Sequence, residues 1–182
     1  MYDEKMWVIH YTHPDNFRKI KKSGKIKSAW HLMRPSQRKQ HAQERRGTCQ
    51  KIGGAVLRDQ KPLTRRIQFC DGAKFCQYVE YINQHVFFWP TRYAGSKKRE
   101  AFRKKYAGDC EIRCRLCDLE KANPGKILYC RYNSGATPRQ PEKHKRSRKM
   151  FQPLSERKKQ PIVEVVIKGV VKLPPETKYK NP

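Results

Sequence analysis

The stretch WVIHYTHPDNFRKIKKSG, residues 7–24, sets the reading of the whole chain. Val8 and Ile9 form a short apolar run leading into His10-Tyr11-Thr12, and a helix signal follows at once. Asp15 or Asn16 can cap that helix, Phe17 and Ile20 lie three apart on one face, and Gly24 stands where it should end. The unit reads strand, polar motif, short helix. On extended chain alternate side chains share a face, so His10 and Thr12 can contact one ligand, with Asn16 four residues further on. A lone His serves as readily as a core or surface group, so spacing leaves both roles open.

Working outward, 34–54 is polar and basic and reads as helix or loop, and AVLRDQKPL, 55–63, turns abruptly from apolar to polar. KFCQYVEYINQ, 74–84, carries Phe75, Tyr78, Val79 and Ile82 at helical spacing and runs into VFFW, 86–89, a buried strand stopped by Pro90. SKKREAFRKKYAG, 96–108, predicts a basic helix. CEIRCRL, 110–116, alternates with Cys110, Ile112, Cys114 and Leu116 on one side, and KILYCRY, 126–132, is a second such strand. Residues 137–160 are Pro-rich and basic, a solvated loop or nucleic-acid arm. PIVEVVIKGVV, 161–171, is the last strand and 172–182 a peripheral tail. With no repeat and no boundary, 1–171 forms a single domain with a basic insert at 137–160.

Composition narrows the partners. The 182 residues include 43 Lys plus Arg against 16 Asp plus Glu, a formal charge of +27. That surplus calls for a polyanion, nucleic acid first. The 36% apolar content, with three Trp, nine Tyr and seven Phe, suffices for one modest core. The apolar runs are far below the roughly 18 residues of a membrane helix. The acidic and His-bearing N-terminus lacks a signal-peptide pattern, and seven Cys is an odd number that fits reduced thiols. A cytoplasmic location is the expectation.

Three further constellations bear on chemistry. Cys110, Cys114, Cys117 and Cys130 superficially offer four thiolates to zinc, but zinc ligands come as tight pairs on turns. Cys110 and Cys114 share an apolar strand face, where small buried thiols are common, so no metal site is expected. Glu164 interrupts the most apolar strand, on the face of Ile162 and Val166. It is either an edge carboxylate paired with a Lys or Arg or a catalytic carboxylate on a rigid strand. Arg58, in Leu57-Arg58-Asp59-Gln60, ends an apolar run where a fork of donors suits a phosphate or carboxylate.

In order, the His10-Tyr11-Thr12 strand, the Asp15-Asn16-Phe17 helix ending near Gly24, the Val56–Gln60 segment with Arg58 and the late strand with Glu164 resemble ADP-ribosyltransferase domains, most closely the DarT-type DNA ADP-ribosyltransferases. The resemblance spans most of the chain as an ordered pattern of short motifs. It implies an α+β fold with split β-sheets, flanking short helices and a cleft for NAD, the ADP-ribose donor. His10 would contact NAD, supported by Thr12 and Asn16, and Arg58 would hold a phosphate or orient the reaction centre. Glu164 would stabilise the oxocarbenium-like transition state as nicotinamide leaves, while Phe87, Phe88, Trp89 or Tyr132 stacks on nicotinamide or a base. The acceptor implied is a nucleic acid, DNA before RNA, and most directly a base in single-stranded DNA. Lys143, Lys145, Arg146, Arg148 and Lys149 would grip its phosphates. A toxin-like enzyme of this charge also leaves a place for a neutralising antitoxin. Two other readings stand beside it: a non-catalytic nucleic-acid-binding module on the same scaffold, and a ribonuclease using His10 and His13 as general acid and base.

Overall fold

A computed structural model describes residues 5–38, 50–57, 63–91, 108–157 and 161–182. The fold is α+β, built on a mostly antiparallel sheet with a few short helices. Its strands are β1 (Trp7–Thr12), β5 (His85–Pro90), β6 (Cys110–Arg115), β7 (Ile127–Cys130), β8 (Gln152–Pro153), β9 (Glu164–Lys168) and β11 (Lys178–Lys180), in the order β11-β6-β1-β5-β9-β7-β8. Two small ribbons sit outside it: β2 (Lys25–Lys27) with β10 (Val170–Lys172), and β3 (Gln50–Ile52) with β4 (Ala55–Leu57).

The helices cover both faces because each has one apolar stripe. Helix α1 (Pro14–Ser23) buries Phe17 and Ile20, and α4 (Leu116–Ala122) buries Leu116 and Leu119, against Val8, Phe88, Ile112, Val165 and Ile167 on one face. Helix α3 (Phe75–Asn83) lays Tyr78, Val79 and Ile82 on Cys130 and Val166 of the other. Each such side chain contributes about 1.5–3 kcal/mol on burial. The single-turn α2 (Ala29–Leu32) packs Leu32 beside Met33, Ile52 and Leu57 in a third, smaller cluster.

The start of α1 differs from the sequence expectation. The cap is His13, whose Nδ1 accepts from the Asp15 N–H at 3.1 Å, with Pro14 opening the helix. Gly24 ends it as expected, at φ 62°, in the left-handed region that favours glycine. The segment 161–171 is not one strand: Gly169, at φ 86°, turns the chain out of β9 and into β10, a different sheet. Ile162 precedes β9 and packs in the α1 cluster, so it does not share the face of Glu164. Leu116 opens α4 rather than ending β6. The tail is not peripheral, since Lys178–Lys180 pairs antiparallel with Arg113–Glu111 and Tyr179 packs on the core. The expected helix at 96–108 and most of 34–54 lie outside the described residues.

The strand pairing also opens a cleft. β1 and β5 are in register only at Val8–Pro90 and Ile9–Trp89, whereas β5 continues along β9 from His85 to Phe88. From His10 onward β1 runs with β6 alone on its other side.

Candidate functional site

Where β1 and β5 part, the His10 side chain bridges the gap. Its Nδ1–H donates to the Phe87 carbonyl at 2.9 Å, and its ring lies 5.6 Å from that of Phe88. Because a carbonyl only accepts, this bond fixes the tautomer and leaves Nε2 as the acceptor. Burial lowers the His10 pKa, against the opposing pull of the Phe87 bond, so the ring is held neutral.

His10 belongs to the wall of a cleft of about 670 Å³, within the range of small-molecule sites. Thr12, Asn16, Asn83 and the Gly53-Gly54 turn share the wall, with Lys19, Lys25 and Lys27 also lining it. Among the described residues its lining contains no Asp or Glu. Both glycines have positive φ, 56° and 73°, and a Cβ on Gly53 would meet the Leu32 carbonyl oxygen at 2.7 Å. The hairpin tip therefore seats against α2 only as glycine.

Asn16 serves the cleft indirectly. Its Nδ2 donates to the Val56 carbonyl and its Oδ1 accepts from the Val56 N–H, both at 2.8 Å. One amide thus replaces a strand partner and pins β4 to α1, two residues before Arg58. Arg58 itself lies outside the described residues. Replacing Asn16 by Ala would leave the Val56 backbone groups without that partner, at a cost of about 1–3 kcal/mol. Urea denaturation should show the loss, and an unchanged midpoint would contradict the pinning.

Glu164 is elsewhere. It is level with Cys130 of β7, follows the alternation of Val166, and so points to the α3 face, whereas His10 lies with Phe88 and Val165 on the α1 face. The structure therefore brings His10, Thr12 and Asn16 together and leaves Glu164 outside their cleft. The carboxylate is 1% exposed and accepts from the Ser134 N–H with both oxygens, at 3.2 and 3.1 Å. Burial pushes its pKa up to about 7, opposed by the Ser134 hydroxyl and N–H and by the charge of Arg146. The same burial, with Glu164 nearby, pushes the Cys130 thiol up to about 12.

The thiols do not converge. Cys110 and Cys114 are buried on the α1 face and Cys130 on the α3 face, and among the described residues no group of three or more His, Cys, Asp or Glu is placed to hold a metal ion. His13 uses its Nδ1 as the α1 cap and lies 3.6 Å from Asp15, so it is not paired with His10.

The described part of the basic arm is tied to the body of the fold, although most of its side chains are exposed. The Asp71 carboxylate accepts from Ser147 Oγ at 3.2 Å and from the Arg148 N–H at 2.8 Å, while Arg148 Nε completes an ion pair at 3.3 Å. Burial raises the Asp71 pKa, but the bonds from Arg148, Ala73 and Ser147 together outweigh it and hold the group below its usual value. Arg146 is 6% exposed, and of the five expected phosphate contacts only Lys143, Lys145 and Lys149 are exposed and without a carboxylate partner among the described residues. Ser134 and the burial of Arg146 were the features that sequence reasoning missed. The Asn133-Ser134-Gly135 turn offered a faint signal for the first, and nothing distinguished one Arg among 43 basic residues for the second.

No helix among the described residues is long and apolar enough to cross a membrane. Neither the curated proteins nor the solved structures contain a match to this chain. One family model does match, over residues 7–174, from the first strand of the cleft through Glu164 to the ribbon strand β10, and its description is a family of unknown function. The chain therefore belongs to the DUF7002 family.

Proposed function

We propose that this protein is an NAD-dependent ADP-ribosyltransferase that modifies nucleic acid, with a base in single-stranded DNA as acceptor, on an ADP-ribosyltransferase-like split sheet. The observation that carries the reading is His10, kept neutral by burial and oriented by its bond to Phe87 at the point where β1 and β5 part, in the wall of a cleft that carries three lysines and no described carboxylate. A cleft of that sign favours an anionic ligand. The Nε2 lone pair of His10 suits a ribose hydroxyl, and Thr12 stands on the same strand face. NAD would supply the ADP-ribosyl group and nicotinamide as leaving group. Glu164, anionic above pH 7 and shielded from water, faces the other side of the sheet from this cleft, so its charge is assigned to the nucleic-acid side rather than to the NAD sugar. The charge of +27 supplies affinity for the acceptor strand.

The position of Glu164 on the opposite face favours one competing reading, a nucleic-acid-binding module that needs neither NAD nor the carboxylate. Incubating the protein with labelled NAD and single-stranded, duplex or RNA oligonucleotides separates the two. Transfer of label to single-stranded DNA with release of nicotinamide is expected. Salt-sensitive binding with no transferred label on any strand would establish the module instead.

A further inference from the structure

The α3 face holds a polar cluster that the cleft does not use. Tyr78 Oη donates to the Ser134 carbonyl at 2.9 Å, and Ser134 in turn holds both oxygens of Glu164 by its N–H. Facing this group is Arg146, fixed by its backbone: its N–H donates to the Gln68 carbonyl at 2.8 Å and its carbonyl accepts from the Cys70 N–H at 3.0 Å. The guanidinium donates from Nη1 to the His144 carbonyl at 3.2 Å, but its buried Nε–H has no partner. No ion pair joins it to Glu164, although its charge acts there. The Ser134 hydroxyl lies close enough to influence Glu164 yet completes no hydrogen bond. Over the guanidinium, 5.0 Å from its centre, lies the ring of Tyr132, which is 44% exposed and the only large hydrophobic residue exposed among the described residues.

A buried N–H without an acceptor is costly, and one that persists beside a buried carboxylate and an outward aromatic ring marks a place for a ligand. The geometry points to a nucleobase subsite formed by Tyr132, Arg146, Ser134 and Glu164. An unpaired base stacks on Tyr132 and presents its Watson–Crick edge inward, where every base carries a donor beside an acceptor. The acceptor takes the Arg146 Nε–H, the donor goes to Glu164, and the Ser134 hydroxyl turns to either. In a duplex that edge is already paired, so the subsite selects single strands. This rests on the nucleic-acid acceptor proposed above and changes the part given to Arg146, from a phosphate grip to a reader of base edges. The phosphates fall to the exposed Lys143, Lys145 and Lys149.

Fluorescence anisotropy without NAD tests the subsite independently of any transfer. The probes are a labelled single strand, its duplex, and an abasic strand of equal length that keeps the phosphates and lacks the bases. The wild type should bind the single strand about tenfold more tightly than the abasic strand. Tyr132→Ala and Arg146→Lys should each remove that preference and leave the salt dependence unchanged. Lys143→Ala should reduce the salt slope by about one unit and keep the preference. Tyr132 is exposed, so its variant decides the matter if Arg146→Lys melts early. Equal binding of abasic and normal strands by the wild type would overturn the subsite, as would a preference that survives Tyr132→Ala. A reduced salt slope in a folded Arg146→Lys protein would return Arg146 to the phosphates. Competition of the single strand by free nicotinamide would assign the pocket to a different ring.

Discussion

Glu164→Gln should be more stable than the wild type at pH 8, and the advantage should shrink as the pH falls towards 4.5. The cause is the raised carboxyl pKa, about 7 against the usual 4.5. Between those values the folded protein retains a proton that the unfolded chain has released. The neutral form's contribution is therefore fully present below 4.5 and is lost as the pH rises through 7. Above 7 the penalty of a buried anion is complete, and the gap between 4.5 and about 7 corresponds to about 3 kcal/mol. Gln stays neutral throughout and keeps one oxygen for the Ser134 N–H. Its second polar group is an N–H pair facing Ser134 Oγ and Arg146, which offsets part of the gain equally at all pH values. The diagnostic is thus the difference between the two proteins' pH profiles. Thermal melts at pH 5 and pH 8 should diverge by about 5–10 °C in favour of the variant at the higher pH. Parallel profiles would mean that Glu164 is not the buried, half-titrated group described above.

How much of this was legible in the sequence depends on how local each signal is. The β1–α1 unit was readable because its signals lie within a few residues: alternation through His10 and Thr12, an apolar pair at Phe17 and Ile20, and a glycine stop at Gly24. The His13 cap escaped because an imidazole is an uncommon cap, and only the neighbouring Pro14 marks it. Glu164 and Val166 were placed correctly on one face by period-two alternation. Their relation to His10 was not, because whether two faces coincide across three strands depends on the Val8–Pro90 and Phe88–Val165 registers, which no single segment encodes. β11 has the same origin: Lys-Tyr-Lys is too short and polar to signal a strand, and it becomes one because β6 would otherwise present an open edge. The tethering of the basic arm escaped because its charges dominate its composition. Asp71, some seventy positions earlier, is what ties it down, together with the buried Phe151 and Leu154.

Glu164→Gln should also lower ADP-ribosyl transfer through the acceptor strand, by about tenfold at subsaturating single strand, the scale of one lost hydrogen bond from a base edge to a charged group. Affinity for NAD should change little, because His10, Thr12 and the lysines of the cleft lie on the other side of the sheet from the carboxylate. The pattern is then a raised KM for the single strand with KM for NAD nearly constant, the mark of an interaction made with the acceptor alone. His10→Ala should show the opposite balance, with KM for NAD raised and KM for the single strand little affected. The active form of Glu164 is the anion, so wild-type activity should rise with pH through about 7 and level off above it. A bell centred below 7 would instead make the neutral acid the working form. Single-turnover label transfer with both variants, at pH 6 and pH 8, measures all of these outcomes. If Glu164→Gln transfers ADP-ribose at the wild-type rate, the carboxylate is a structural burden of β9, and the chemistry belongs to the cleft alone.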